Sequence, residues 1–98
     1  MCWVHEWAHA YRNIYRAIQH VERARQKMLF RAERYPKQRA RYVEAAERCE
    51  KLIEILQSAM KELENLIWSY GIIRKPEVIM KMLTPPKMLP AEEWVKKN

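Results

Sequence analysis

The chain contains no aspartate and a single glycine, Gly71, among its 98 residues. Both residue types favour turns, so their scarcity argues against a fold of many short strands joined by tight turns. The lack of aspartate also excludes a Ser-His-Asp catalytic triad. Glu, Lys, Arg, Ala and Leu are abundant instead, and these residues are strong helix formers. The composition therefore predicts an all-α protein.

Long apolar runs are also missing. The longest strongly apolar stretch, residues 65–73, falls well short of the roughly 18 residues that a transmembrane helix requires. The N-terminal sequence Met-Cys-Trp-Val-His-Glu lacks the basic and then apolar pattern of a secretory leader. We therefore expect a soluble, cytoplasmic protein with no membrane partner.

Two long amphipathic stretches, residues 3–35 and 37–70, meet at Tyr35-Pro36. In each stretch apolar residues recur at spacings of three and four, which is typical of a helix packed along one seam. The first seam, interrupted by Arg25, comprises Val4, Trp7, Tyr11, Ile14, Ile18, Val21, Met28, Ala32 and Tyr35. The second comprises Tyr42, Ala45, Cys49, Leu52, Leu56, Ala59, Leu63, Leu66 and Tyr70. The pattern predicts a long antiparallel helical hairpin over residues 1–71, with helices at about 3–34 and 37–70.

Pro36 fixes the place of the break between the two helices. Proline disfavours helical conformation at the preceding residue, yet it is well tolerated at the first position of a helix. One continuous helix with a kink at Pro36 is the competing prediction. Tyr35 continues the apolar series, so we expect its ring to pack inward, although an exposed ring there could stack on an unpaired base.

Each predicted helix has a second apolar column beside its seam. The columns are Trp3, Ala10, Ala17 and Ala24 in the first helix and Ala46, Ile53, Met60 and Ile67 in the second. One partner helix cannot cover two columns, and a chain of this length buries only a modest core. We therefore expect hairpins to complete a four-helix bundle by self-association, as a homodimer or higher homo-oligomer, unless the C-terminal tail closes the structure.

The tail, residues 72–98, is punctuated by prolines. Its sequence predicts a short helix from Pro76 to Leu83, a stiff linker at residues 84–86 and another helical turn or two at residues 90–97. The tail either covers the hairpin or docks elsewhere. In the predicted hairpin, Cys49 lies about 30 Å along the helix from Cys2, which excludes an intrachain disulfide.

Residues 5–9 read His-Glu-Trp-Ala-His, which is an H-E-x-x-H motif. Two histidines four residues apart on a helix can bind one zinc ion while the glutamate activates a bound water. The motif and its uncharged flanks, residues 3–11, resemble the zincin metalloproteases. The resemblance implies zinc ligation by His5 and His9 and a general base at Glu6.

A zinc site also needs a third ligand. The next histidine, His20, lies roughly 16 Å beyond His9 along a continuous helix. The seam assignment further places His5, Glu6 and His9 on the face that points away from the second helix. We therefore expect no metal, no cofactor and no catalysis, and we keep a zinc site at His5 and His9 as the alternative.

The net charge of +7 is segregated along the chain. Residues 42–70 are net acidic, whereas the segment from Arg31 to Arg41 has five basic residues against Glu33 alone. The candidate phosphate-binding residues are Arg12, Arg16, Arg23, Lys27 and Arg34 on the outer face of the first helix, with Arg31, Arg34, Lys37, Arg39 and Arg41 at the bend. Segregated positive charge favours contact with a polyanion.

These residues predict a non-catalytic protein that contacts nucleic-acid phosphates, most simply those of DNA, in an architectural, packaging or accessory role. No helix-turn-helix, zinc-finger or glycine-rich phosphate-loop pattern occurs, so strong sequence specificity is not expected. The alternative is an assembly subunit whose apolar helix faces and tail dock onto partner subunits. In that case the charge serves solubility, and RNA or an acidic protein also stays open as the partner.

Overall fold

The computed structural model describes residues 3–70 and 76–83, and every one of them except Tyr35 and Leu83 is helical. Helix α1 spans Trp3–Arg34, a short 3-10 turn spans Pro36–Gln38, α2 spans Arg39–Tyr70 and α3 spans Pro76–Met82. The prediction of an all-helical fold is confirmed for these residues. Cys2, the junction at residues 71–75 and the predicted linker and last helical turns of the tail beyond Leu83 lie outside the described residues.

The break between α1 and α2 lies at Tyr35, whose φ of −122° and ψ of 79° are not helical. Pro36 causes this conformation, because its ring disfavours helical geometry at the residue before it. The N–H of Tyr35 still donates to the carbonyl of Arg31 at 2.8 Å, and the N–H of Gln38 donates to the carbonyl of Tyr35 at 3.0 Å. The chain therefore passes through a 3-10 turn, and α2 begins at Arg39 rather than at the predicted residue 37.

Aromatic and polar contacts join α1 to α2 near both of their ends. The ring centroids of Trp7 and Tyr70 lie 6.0 Å apart in an edge-on arrangement. The hydroxyl of Tyr11 donates to Oε1 of Glu64 at 3.4 Å. At the other end the rings of Tyr35 and Tyr42 lie 6.4 Å apart. The beginning of α1 thus lies against the end of α2, and the end of α1 lies against the beginning of α2.

The contact face of α2 is wider than the predicted seam. The residues that are buried in α2 are Ala46 and Ile67, both from the second apolar column. Leu52 and Tyr70, which belong to the predicted seam, are exposed, Tyr70 to 60%. Tyr42 and Tyr70 of the predicted seam nevertheless contact the rings of Tyr35 and Trp7. The side of α2 that faces α1 therefore includes residues of both columns, and the second column holds its most deeply buried residues.

Helix α3 packs onto the end formed by the start of α1 and the end of α2. We call the buried group there the α3-end cluster; it comprises Val4, Ala8, Ile67, Ile79 and Met82. Trp7, Val78 and Leu83 pack against this cluster. In addition, Nη2 of Arg12 donates to the carbonyl of Lys81 at 3.1 Å. The seven residues of α3 extend for only about 10 Å, so α3 covers one end and not the length of the long helices.

The molecule is elongated. Its principal extents are 57 × 24 × 19 Å and its radius of gyration is 17.0 Å, against about 13 Å for a compact domain of 100 residues. The bend between α1 and α2 and the α3-end cluster therefore lie at opposite ends of a rod. None of the helices within residues 3–70 and 76–83 combines the length and the apolar composition that a bilayer-spanning segment needs.

Candidate nucleic-acid interface

The bend, defined as residues 31–41, is almost entirely open to solvent. Ala32 is buried and every other residue of the bend is exposed. The five exposed basic residues are Arg31, Arg34, Lys37, Arg39 and Arg41. Within the described residues, no carboxylate forms an ion pair with any of these five side chains. Their charges are therefore available to a ligand in solution.

The chain reversal brings these cations together from three elements. Arg31 and Arg34 lie in the last turn of α1, where positive charge interacts favourably with the helix dipole. Arg39 and Arg41 lie in the first turn of α2, which contains no acidic residue. Positive charge at that end opposes the helix dipole and destabilises a helix by roughly 0.3–1 kcal/mol per group. Helix stability alone therefore disfavours basic residues at these two positions of α2.

The outer face of α1 continues the basic surface away from the bend. Arg12 and Arg34 lie about 33 Å apart along the helix at 1.5 Å per residue. Arg16 is exposed, whereas Arg23 and Lys27 are half-buried. Arg12 already donates to the carbonyl of Lys81, so part of its hydrogen-bonding capacity is committed to α3. The accessible positive charge is therefore densest at the bend.

Arg25, the basic residue that interrupts the α1 seam, has a different environment. Its Nη2 donates to Oε1 of Glu22 at 2.8 Å and its Nε donates to Oε2 at 2.9 Å. The hydrogen bonds from Arg25 lower the pKa of Glu22 and, in turn, raise the pKa of Arg25. Gln26 also donates to this carboxylate at 3.2 Å. The charge of Arg25 is thus compensated within α1, in contrast to the charges of the bend.

Tyr35 does not pack inward as its place in the apolar series predicted. Its side chain contacts Tyr42, yet 48% of the residue is exposed. The cause is the non-helical backbone before Pro36, which removes Tyr35 from the helical repeat. The guanidinium carbon of Arg34 lies 6.0 Å from the centroid of the ring. An aromatic ring therefore stands exposed among the cations of the bend.

A second exposed ring, Phe30, is not among the residues that the sequence predicted to be functional. It is 53% exposed and has Lys27 and Arg34 as its neighbours three and four positions away on the helix surface. The signal was present in the pattern, because Phe30 belongs to neither apolar column of α1. A large apolar side chain on a charged face is a candidate contact for a partner.

The H-E-x-x-H motif lies at the start of α1, far from the bend. His5 is half-buried, while Glu6 and His9 are exposed. In the part of the chain that the structure describes, no group of three His, Cys, Asp or Glu side chains is placed to hold a metal ion. The third ligand that the zincin resemblance requires is not found among those residues.

Comparison with protein-family models, with curated proteins and with solved structures found no match to this chain. The function of the chain is therefore inferred from its own residues. Among the residues that the structure describes, the bend has the highest density of exposed charge of one sign.

Proposed function

We propose that the chain is a non-catalytic nucleic-acid-binding protein that contacts phosphate groups through the bend and the outer face of α1. Such contacts carry no sequence information, so the role is architectural, packaging or accessory. The observation that supports this function best is the group of five exposed bend cations, two of which oppose the dipole of α2. Placing charge against the dipole destabilises the free protein, and a bound polyanion would offset that destabilisation.

Salt dependence is the property that tests phosphate contact. Each cation that neutralises a phosphate of duplex DNA releases counterions and adds about 0.9 to the slope of log affinity against log salt. We would measure binding to a labelled random-sequence duplex by fluorescence anisotropy at several salt concentrations. The proposed function predicts an affinity that falls linearly on this logarithmic plot.

Two variants with the same change in net charge locate the contact. One replaces Arg31, Lys37 and Arg41 with Gln, and the control replaces Arg48, Lys51 and Lys61 with Gln. All six side chains are exposed, and Arg34 is left in place because it lies near the Tyr35 ring. We expect the bend variant to lose about 2.7 from the slope and the control to lose less than about 1.

Two results would contradict the proposed function. If the wild-type protein bound no duplex even at low salt, the phosphate contact itself would be wrong. If both triple variants lost the same amount of slope, the total charge would matter and the bend would not be the binding surface.

The proposed molecule is a helical hairpin of α1 and α2 that completes a four-helix bundle with a second copy. Leu52 and Ile55 of α2 are exposed, Ile55 to 64%. Ala59 and Leu66 continue the same side of α2 at helical spacing. A second hairpin on this side would remove the apolar side chains from water.

Sedimentation tests this bundle. We expect wild-type protein to sediment as a homodimer and the Ile55→Glu variant to sediment as a monomer. A monomeric wild type would contradict the bundle.

The same apolar side of α2 favours a second candidate function, an assembly subunit that docks onto partner subunits. In that case the cations of the bend serve solubility and the protein does not bind nucleic acid. The anisotropy titration distinguishes the two functions, because an assembly subunit would leave the duplex unbound at every salt concentration.

A further inference from the structure

We propose that the bend recognises single-stranded nucleic acid, with the ring of Tyr35 stacking on an unpaired base. The inference rests on the proposed phosphate contact and specifies its ligand. Two features of the bend support it. The ring of Tyr35 is exposed and packs beside Tyr42, and basic residues lie on both sides of Tyr35 in the sequence.

The Tyr35 ring is held in position before any ligand arrives. Tyr42 lies beside it, with a centroid distance of 6.4 Å and an angle of 41° between the rings. The backbone of Tyr35 is fixed on both sides, since its N–H donates to Arg31 and its carbonyl accepts from Gln38. A side chain that is already ordered loses little conformational entropy on binding. Nearly half of Tyr35 nevertheless remains open to a ligand.

The cations around the ring suit the phosphates that flank a stacked base. Arg31 and Arg34 precede Tyr35, and Lys37 and Arg39 follow it. The guanidinium carbon of Arg34 lies 6.0 Å from the ring centroid, near enough to reach a phosphate beside a base on that ring. Proteins that bind single strands combine a basic surface with aromatic stacking platforms in this way.

Duplex DNA would not provide a base on which the Tyr35 ring could stack. The faces of paired bases are already stacked within the double helix, so duplex DNA offers the bend only its phosphates. An unpaired base offers a free face, and stacking on an aromatic side chain strengthens binding by about 5-fold to 100-fold per base. The exposed ring of Tyr35 therefore favours a single strand as the ligand.

An anionic membrane surface is the other polyanion that attracts cations and an exposed ring. Membrane-surface helices bury a broad apolar face in the lipid, whereas the apolar face of α1 contacts α2. The structure therefore favours the nucleic acid, and vesicles serve as a comparison in the test.

The experiment compares two labelled strands with the same number of phosphates, an oligothymidylate and an abasic strand, by fluorescence anisotropy. We expect wild-type protein to bind the oligothymidylate about 5-fold to 100-fold more tightly than the abasic strand. The Tyr35→Leu variant should bind both strands with the affinity that wild type has for the abasic one. The Tyr35→Phe variant should keep the preference, because it keeps the ring.

Trp68→Leu is the matched control, because Trp68 is exposed to a similar extent, 43%. It lies in the last turn of α2, at the end of the rod opposite to Tyr35. We expect the preference of Trp68→Leu to stay within about twofold of wild type, which is below the range of a stacking effect. Phe30→Leu tests the other exposed ring near the bend as an alternative platform. Far-UV circular dichroism would confirm that each variant is folded.

Several results would overturn the inference. Equal wild-type affinity for the two strands would exclude stacking and leave the phosphate contact intact. Loss of the preference in Phe30→Leu but not in Tyr35→Leu would exclude Tyr35 as the platform. Binding to phosphatidylserine vesicles without binding to either strand or to the duplex would overturn both the inference and the proposed function.

Discussion

The two ends of the rod are built from opposite kinds of side chain. At one end, Val4, Ile67 and Ile79 are buried in the neutral α3-end cluster. At the other end, every residue of the bend except Ala32 is exposed, and five of them are basic. Packing stabilises the first end, and we propose that charge serves binding at the second. Because the ends lie about 45 Å apart along the helices, we expect substitutions in the α3-end cluster to change stability without changing binding at the bend.

The largest expected effect is on stability, from Ile67→Ala in the α3-end cluster. Ile67 is fully buried, so the substitution should lower the free energy of unfolding by about 3 kcal/mol through lost burial and a new cavity. Urea unfolding measures this change. The Ile67→Val variant, which removes one methylene, should lower the free energy of unfolding by only about 1 kcal/mol. The affinity of Ile67→Ala for nucleic acid should stay within twofold of the wild-type affinity under conditions where the variant is folded. A loss of less than 1 kcal/mol in Ile67→Ala would show that the site is loosely packed.

The next effect has opposite signs for stability and for binding. Arg41 lies in the first turn of α2, where its charge opposes the helix dipole. Arg41→Glu should therefore stabilise the free protein by about 1 kcal/mol while weakening duplex binding and reducing its salt slope. Thermal unfolding and the anisotropy titration measure the two quantities, and Arg41→Gln should fall between Arg41→Glu and wild type in both. If Arg41→Glu destabilised the protein, the dipole argument for the bend would be wrong.

A smaller effect is expected at alkaline pH from the contact between α1 and α2. Burial, followed by the charge and hydrogen bond of Glu64, raises the pKa of Tyr11 above its usual value of 10.0. The neutral phenol is therefore favoured in the folded state. Its contribution, about 0.5 kcal/mol for one hydrogen bond, is present below pH 10 and is lost as the pH rises through the folded-state pKa.

Comparison with Tyr11→Phe isolates this contribution from other groups that titrate at high pH. The free energy of unfolding of wild type should fall more steeply above pH 10 than that of Tyr11→Phe. Parallel pH profiles for the two proteins would show that the interaction between Tyr11 and Glu64 does not stabilise the fold.

The smallest expected effect comes from Glu22→Gln within α1. Arg25 lowers the pKa of Glu22 below its usual value of 4.5, so the ion pair contributes at neutral pH and is lost as the pH falls through the folded-state pKa. Both side chains are partly exposed, which limits the contribution to about 0.5 kcal/mol. Chemical unfolding should show a difference between wild type and Glu22→Gln at pH 7 that shrinks as the pH falls below 4.5. A difference that stayed constant as the protein was acidified until Glu22 is protonated would have a cause other than the charge of Glu22.

Periodicity predicted the helical class and the break at Tyr35-Pro36, because both follow from local backbone preferences. It could not predict which column of α2 would be buried more deeply, since Leu52 and Ile67 lie on adjacent apolar columns and the burial of each depends on how many helices surround it. The exposure of Tyr35 was predicted wrongly for a related reason. The helical repeat assigns Tyr35 to the core, and the conformation that Pro36 imposes takes it out of that repeat.

The candidate site was predictable in part. The bend cations follow from the sequence once Pro36 is placed between two helices, but their exposure and their lack of ion pairs within the described residues required the structure. The sequence also could not distinguish Arg25, whose charge is compensated by Glu22, from the bend cations, which form no ion pair within the described residues. Charge counting gives the total of +7, whereas side-chain packing decides which charges a ligand can reach.

The measurement that tests phosphate contact at the bend is the salt dependence of duplex binding for the two triple variants. We expect the slope of log affinity against log salt to fall by about 2.7 when Arg31, Lys37 and Arg41 are replaced with Gln. Replacement of Arg48, Lys51 and Lys61 should change it by less than about 1. Equal slopes in the two variants, or no binding by the wild-type protein at low salt, would contradict the assignment of the bend as the nucleic-acid interface.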